Sequence, residues 1–190
     1  MANTDDDISR WHAANPGVFE SWVNTWQDMV YNTALSVLMH ETDAEDVAQD
    51  VFVSLYKNSH TFRGESAIST WLYRVTVNRC TDLLRQRNRG KKWWGKRVEV
   101  PAAEDWITFE HPGVLAEHKD HAVVLFNAIR KLPDHQRTAF VLNKVEGLRI
   151  VEIADIMKRS PASVESLLSR ANQNLRQWLK KYYEAQVNTQ

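Results

Sequence analysis

The sequence lacks the features that would place it among secreted or membrane proteins. It has one cysteine, Cys80, among 190 residues, and a lone cysteine cannot build an internal disulfide framework or a cysteine-rich zinc site. No apolar run approaches the roughly 20 residues that a membrane-spanning helix needs. Residues 1–10 are acidic and polar, unlike a secretory signal. These absences predict a cytoplasmic protein with no membrane insertion.

The sequence also lacks net charge, with 24 basic and 24 acidic residues, but the charges are segregated along the chain. Residues 1–60 hold 10 acids and 2 bases, whereas residues 61–100 hold 3 acids and 10 bases. Residues 101–135 are acidic again and residues 136–190 are basic. Basic blocks of this size indicate contacts to a polyanion, and acidic blocks indicate a basic protein partner. Solvated helix faces would give the same composition.

Strand signals are nearly absent, because apolar and polar residues do not alternate over any sustained stretch. Apolar residues recur instead at helical spacing, which predicts an all-α fold of two small helical domains joined by a linker. We expect an acidic tail (1–17), a first domain (18–90), a linker (91–117), a second, four-helix domain (118–183) and a tail (184–190). The linker has glycines, prolines and mixed charge. Its tryptophans, Trp93, Trp94 and Trp106, are expected to anchor it on a neighbouring surface.

An acidic helix is predicted to follow Thr42. Thr42 and Glu45 form the pattern of a capping box, in which each satisfies a free backbone amide at the helix start. An apolar stripe then follows the helical period. It comprises Ala44, Val47, Ala48, Val51, Phe52 and Leu55. Four residues fall off this stripe and are expected to face outward: Asp46, Gln49, Asp50 and Val53.

A second helix pattern combines aromatic and basic residues, and it is predicted to begin at Trp71 after a break containing Gly64. Unpaired nucleic-acid bases are held by stacking on aromatic rings and by a basic groove. Phe62, Trp71 and Tyr73 would supply the rings. Arg63, Arg74 and Arg79 would supply the charge. For Trp71, burial in the protein core is the alternative to stacking on bases.

The last helices are typical of a helix-turn-helix over residues 150–176. A short helix over residues 150–157 is followed by the turn Lys158-Arg159-Ser160. Ser160 suits the N-cap, and Pro161 suits the first position of the next helix. In this motif the start of the second helix enters the major groove, while nearby arginines contact phosphates. The residues placed there are Arg159, Ser160, Ala162, Ser163, Glu165, Ser166 and Arg170. The Glu165 carboxylate would accept a hydrogen bond from a cytosine amino group.

Taken together, these motifs resemble the extracytoplasmic-function sigma factors, a subfamily of the sigma-70 family of RNA polymerase sigma factors. Asp43 to Phe52 resembles their polymerase-binding helix. Phe62 to Glu65 and Thr70 to Arg74 resemble their promoter-melting loop and minus-ten-reading helix. Leu132-Pro133, Glu146-Gly147-Leu148 and Ser163 to Ser166 resemble their minus-thirty-five-binding domain. Most relatives carry a basic residue where Glu165 stands, and a glycine in the turn near Lys158.

The resemblance implies a role for each matched position. Asp46, Gln49, Asp50 and Val53 would bind the clamp helices of the largest polymerase subunit. Minus-ten DNA would be bound by Phe62, Arg63, Ser66, Trp71, Arg74, Asn78, Arg79 and Arg85. The second domain would bind minus-thirty-five DNA and the polymerase flap, and an anti-sigma factor would hold the protein inactive. No enzymatic activity, cofactor or metal is expected.

A second function class stays open at this point. A stand-alone helix-turn-helix regulator, in which the first half senses a signal or dimerises, would also need the second domain. Such a regulator has no use for a surface that binds single strands, so the acidic helix and the basic aromatic helix favour the initiation factor.

Overall fold

The computed structural model describes residues 16–58, 68–94 and 119–187, which are almost entirely helical. The helices are α1 (Pro16–Leu38), α2 (Glu41–Asn58), α3 (Ile68–Trp94), α4 (Lys119–Arg130), α5 (Asp134–Phe140), α6 (Ile150–Met157) and α7 (Pro161–Val187). A π-helical turn, Val141–Val145, continues α5. The described residues contain no strand, which confirms the all-α prediction. None of these helices is long and apolar enough to cross a membrane.

Helices α1, α2 and α3 form the first domain around one apolar core. α1 contributes Val30, Ala34 and Val37, and α2 contributes the predicted stripe, of which Ala44, Val47, Val51 and Leu55 are almost fully buried. From α3, Leu72, Thr76 and Cys80 close the core. The helical period of the sequence therefore located the buried face of α2 correctly.

Two helix starts differ from the sequence-based prediction. Helix α2 begins at Glu41, not after Thr42, because the His40 ring accepts a hydrogen bond at Nδ1 from the Asp43 amide, at 3.4 Å. The predicted capping box at Thr42 is therefore wrong, since Thr42 already lies within the helix. Helix α3 begins at Ile68, three residues before Trp71, and its last turn contains Trp93 and Trp94. The helix thus extends into the predicted linker.

The second domain packs α4 to α7 around two apolar clusters. Leu142, Ile153, Ile156 and Val164 lie in one, which holds the helix-turn-helix together. Ala128, Ile129, Leu132, Phe140, Ala171 and Leu175 lie in the other, where α7 crosses α4 and α5. Gly147 adopts φ +71° after the π-helical turn, a conformation that glycine reaches without steric cost.

The two domains pack directly against each other. Tyr73 and Val77 of α3 lie in the same apolar cluster as Ile153 of α6, and Val141 lies in the core of the first domain. One face of helix α3 therefore packs in the core of the first domain, and another face packs against the second domain.

Candidate nucleic-acid and protein interfaces

An acidic surface on α2 is formed by Asp46, Gln49, Asp50 and Val53, which lie at helical spacing on one side of the helix. All four are exposed, as predicted, and the Val53 side chain remains 48% exposed. Among residues 16–58, 68–94 and 119–187, no base forms an ion pair with Asp46 or Asp50. The acidic surface is therefore available to a partner.

An apolar groove of about 790 Å³ runs beside the acidic surface, between α1 and α2. Its lining includes Phe19, Val23, Tyr31, Phe52, Val53 and Tyr56, with Asp28, Glu45 and Gln49 among its polar residues. The rings of Phe19 and Tyr56 meet edge to face, with centroids 5.3 Å apart. Burial, with Glu41 and Glu45 nearby, raises the Tyr31 pKa, so this hydroxyl stays protonated. The sequence analysis did not find the groove, because it is formed by two helices together.

The residues of α3 that are assigned to DNA differ in their surroundings. Asn78, Arg79 and Arg85 are exposed, and Arg85 donates to Asp82 of its own helix at 3.3 Å. Arg74 instead forms an ion pair with Asp155 of α6 in the other domain. Trp71 is half-buried against the core of the first domain, as the core alternative expects in part, and its stacking on bases stays a prediction. Phe62, Arg63, Ser66 and Trp106 lie outside the described residues. Of the predicted tails, residues 16–17 belong to α1 and residues 184–187 to α7, and the remainder lies outside the described residues.

With the two domains packed together as in this structure, Tyr73 does not offer a ring for stacking on bases, and its stacking role stays a prediction. Only 8% of the residue is exposed, and its hydroxyl donates a 2.9 Å hydrogen bond to Oε2 of Glu146. Burial, the Glu146 charge and this hydrogen bond together raise the Tyr73 pKa well above its usual value. The ring instead packs against the second domain.

The helix-turn-helix turn forms as predicted. Lys158 adopts the left-handed conformation, φ 52° and ψ 51°, that many turns of this kind give to glycine. The Arg159 amide donates to the Ala154 carbonyl at 2.9 Å, which closes the turn. The Ser163 amide then donates to the Ser160 hydroxyl at 3.2 Å, so Ser160 is the N-cap of α7.

The start of α7 presents the predicted base-reading residues together. Ser160, Ala162 and Glu165 are exposed, and Ser163 and Ser166 are half-exposed. Arg170 is exposed and donates to the Ser166 hydroxyl at 2.9 Å. Val164, Leu168 and Ala171 fix the opposite side of the helix in the core. Arg159 is exposed at the turn.

Arg137 is a buried residue of the second domain whose side chain contacts the first domain. Its guanidinium is buried, and its Nε donates to the Val37 carbonyl of α1 at 2.7 Å. It also donates to the carbonyls of Arg130 and Leu132 at 3.3 Å and to Asp134 at 3.0 Å. Burial lowers the Arg137 pKa, an effect that Asp134 opposes. No local pattern signals a partner 100 residues away.

Two protein-family models match the chain, one in each half. The model for sigma-70 region 2 matches residues 22–90. The model for sigma-70 region 4 matches residues 123–175. The first match contains the acidic surface and most of the groove and of α3, and the second contains α6, the turn and the first half of α7.

Known proteins with similar sequences include the ECF RNA polymerase sigma factor SigW of Bacillus subtilis, 30% identical over 85% of this chain and 89% of that protein. The ECF RNA polymerase sigma-E factor of Escherichia coli K12 is 33% identical over 69% of this chain and 71% of that protein.

Solved structures support the fold. The sigma factor RpoE of Bartonella quintana, in complex with the anti-sigma factor NepR, matches with a TM-score of 0.70 and 23% identity, over 85% of this chain and 96% of that one. CnrH in complex with the cytosolic domain of CnrY matches with a TM-score of 0.67 and 22% identity, over 94% and 97%. From these matches together, the chain belongs to the extracytoplasmic-function subfamily of the sigma-70 family of RNA polymerase sigma factors.

Proposed function

We propose that this sigma factor binds core RNA polymerase through the acidic surface, using Asp46, Gln49, Asp50 and Val53. The observation that carries this proposal is the exposed acidic surface beside an apolar groove. Unpaired carboxylates steer a basic partner, and a groove buries its apolar side chains. An amphipathic pair of helices with basic flanks, such as the clamp helices of the largest subunit, fits both features.

The minus-ten element is assigned to α3 and the segment before it. Asn78, Arg79 and Arg85 would line the separated strand, since exposed cations and amides suit a single-stranded backbone. Arg74 would join them once released from Asp155, and Trp71 would contribute part of its ring. The loop residues Phe62, Arg63 and Ser66 would hold an unpaired base.

The minus-thirty-five element is assigned to the start of α7. Ser163, Glu165 and Ser166 would reach base edges, with Ser160 and Ala162 beside them. Arg159 and Arg170 would contact phosphates and so fix the register of the helix in the groove. Glu165 would select cytosine by accepting from its amino group.

Further partners follow from the family. We propose that the second domain also contacts the polymerase flap and that an anti-sigma factor binds this chain, as NepR binds RpoE in the matched complex. The site of action is then the cytoplasm, where the polymerase acts, and the protein is an initiation factor without catalysis of its own. A stand-alone regulator would leave the region 2 match over residues 22–90 without a purpose.

The polymerase assignment is tested by reversing charge on the acidic surface. The double substitution Asp46→Arg and Asp50→Arg should abolish capture of core polymerase while the helical circular dichroism stays unchanged. The control, Glu20→Arg with Glu184→Arg, reverses two exposed carboxylates elsewhere and should bind core normally. Full capture by the Asp46/Asp50 variant would show that the interface is misplaced.

The function as a whole is tested by run-off transcription with purified core polymerase and a pool of genomic templates. Wild-type protein should confer discrete start sites, and the acidic-surface variant should confer none. If core polymerase gave the same transcripts with and without the added protein, the assignment would be refuted.

A further inference from the structure

The positive charge of the helix-turn-helix is concentrated in its turn. Lys158 and Arg159, which we call the turn cations, are consecutive in the chain and both are exposed. By contrast, residues 161–170 of α7 hold one acid, Glu165, and one base, Arg170, and so carry no net charge. Attraction between cationic side chains and phosphates provides a large share of the affinity of a DNA-binding protein. Next to the base-reading residues, the turn is therefore the main source of positive charge.

The turn cations have no acidic partner within 4.0 Å among the residues that the structure describes. Asp155, the nearest acid along the chain, is paired with Arg74 instead. Arg149, at the start of α6, differs from the turn cations because it pairs with Glu152 at 3.1 Å. The turn cations can therefore neutralise phosphates without first breaking an ion pair.

Lys158 occupies a backbone position that does not suit lysine. Its φ of 52° and ψ of 51° are left-handed, a conformation that glycine reaches without steric strain and lysine does not. Its amide donates to the Asp155 carbonyl at 3.3 Å, which any residue other than proline could do. Its side chain is exposed and so contributes nothing to the apolar core. A strained residue without a role in packing is a candidate for a role in function.

The turn adjoins the end of α7 that would enter the major groove. This groove is about 12 Å wide, and a helix with its side chains is about 10–12 Å across. Residues just before the inserted end therefore lie near the phosphates that border the groove. Ser160 follows the turn cations directly, and its hydroxyl accepts from the Ser163 amide at 3.2 Å. This cap joins the turn to α7, so a contact made by the turn also positions the helix.

We propose that Lys158 is a phosphate-binding residue that, together with Arg159, positions α7 in the major groove of the upstream promoter element. The inference rests on the proposed function, which supplies the DNA. The Lys158 ammonium neutralises a phosphate and offsets the repulsion between the Glu165 carboxylate and the DNA backbone. Because phosphates are the same at every base pair, Lys158 contributes affinity and register but no sequence preference of its own.

The test measures how salt affects promoter binding by holoenzyme, reconstituted from core polymerase and the full chain. Lys158→Asn removes the charge, and asparagine tolerates the left-handed backbone. Lys158→Gly removes the charge and relieves the backbone strain, so a loss of binding by this variant cannot come from a strained turn. Lys158→Arg keeps the charge. The control, Lys181→Asn, removes an exposed lysine that lies about 30 Å along α7 from its first residue.

At 0.1 M salt, Lys158→Asn and Lys158→Gly should each weaken promoter binding roughly fivefold to tenfold, for all upstream sequences alike. The slope of log K against log salt should fall by about 1 in both variants. Lys158→Arg and Lys181→Asn should match the wild type.

Two outcomes would overturn the proposal while leaving the proposed function standing. One is an unchanged salt slope in both variants that lack the Lys158 charge, and the other is an equal reduction of the slope in Lys181→Asn. If wild-type holoenzyme bound promoter DNA no better than core polymerase alone, the proposed function would fail, and the inference about Lys158 would fail with it.

Discussion

The two candidate DNA-reading surfaces differ in what holds them in place. The start of α7 is positioned by its own domain, through the Ser160 cap, the turn at Lys158 and the buried residues of the helix. The reading surface of α3 is shared, because Arg74 and Tyr73 contact the second domain. One surface is therefore ready in the free protein, and the other depends on where its neighbour lies.

This difference predicts different responses of the two surfaces to substitution. A surface fixed by local caps and core residues can be altered one position at a time, with effects confined to DNA. A surface held by another domain responds to every change that loosens the domain contact. Substitutions that affect the two surfaces unequally therefore test the comparison.

The largest expected effect is on stability, from Arg137→Met. The change keeps much of the apolar volume but leaves the carbonyls of Val37, Arg130 and Leu132 without their donor. We expect the free energy of unfolding in urea to fall by about 3 kcal/mol. The same substitution at the exposed Arg176 should change it little. A loss below about 1 kcal/mol would mean that water readily replaces the guanidinium.

The next effect concerns base selection by the start of α7. Glu165→Gln should change preference at one position of the upstream element, by about 1–3 kcal/mol, because a carboxylate accepts from cytosine and an amide pairs with adenine. Arg170→Gln should instead weaken all promoters alike and reduce the salt slope by about 1. A promoter library transcribed by reconstituted enzyme measures both. A uniform loss with Glu165→Gln would remove Glu165 from the base-reading residues.

The helix-turn-helix turn provides a smaller test of local positioning. Lys158→Gly should relieve a left-handed conformation worth about 1–2 kcal/mol, less the greater freedom of glycine in the unfolded chain. We therefore expect the free energy of unfolding, measured by thermal denaturation, to rise by about 0.5–1 kcal/mol. Gly147→Ala should lower the free energy of unfolding, because alanine is strained at φ +71°. A methyl group there meets nothing within 4 Å, so it gains no packing contact in return. Destabilisation by Lys158→Gly would show that the lysine side chain stabilises the turn.

Sequence reasoning succeeded where structure is decided locally. The turn at Lys158 and the cap at Ser160 follow from a few neighbouring residues, and the buried stripe of α2 follows from the helical period. The family resemblance gave the order of the two domains. Each of these signals lies within one helix or one turn.

Sequence reasoning failed where two distant segments meet. Tyr73 fits a stacking ring by composition, but its partner Glu146 lies 73 residues away and removes it from solvent. Arg137 reaches a backbone carbonyl, which any residue type supplies, so no pattern marks the pairing. The cap of α2 was misplaced for a smaller reason, because a histidine ring took a role that the sequence assigned to a threonine hydroxyl.

The smallest expected effect concerns the pKa of His135, which responds to arginines of both reading surfaces. Burial lowers the pKa of His135, and Arg159 of the turn and Arg85 of α3 lower it further, against Asp134. The unfolded chain therefore binds a proton more readily than the folded one. The stability due to neutral His135 is present above pH 6.5 and is lost as pH falls through the folded-state pKa.

Replacement by glutamine isolates this contribution. Between pH 7 and about pH 5, the unfolding free energy of wild type should decline more steeply than that of His135→Gln. Because two of the causes are charges, about 1 M salt should narrow the difference between the proteins. Burial alone would leave the difference unchanged by salt. That result would mean that Arg85 and Arg159 are too well hydrated to shift the pKa of His135, so the two reading surfaces would be coupled only by the direct contacts between the domains.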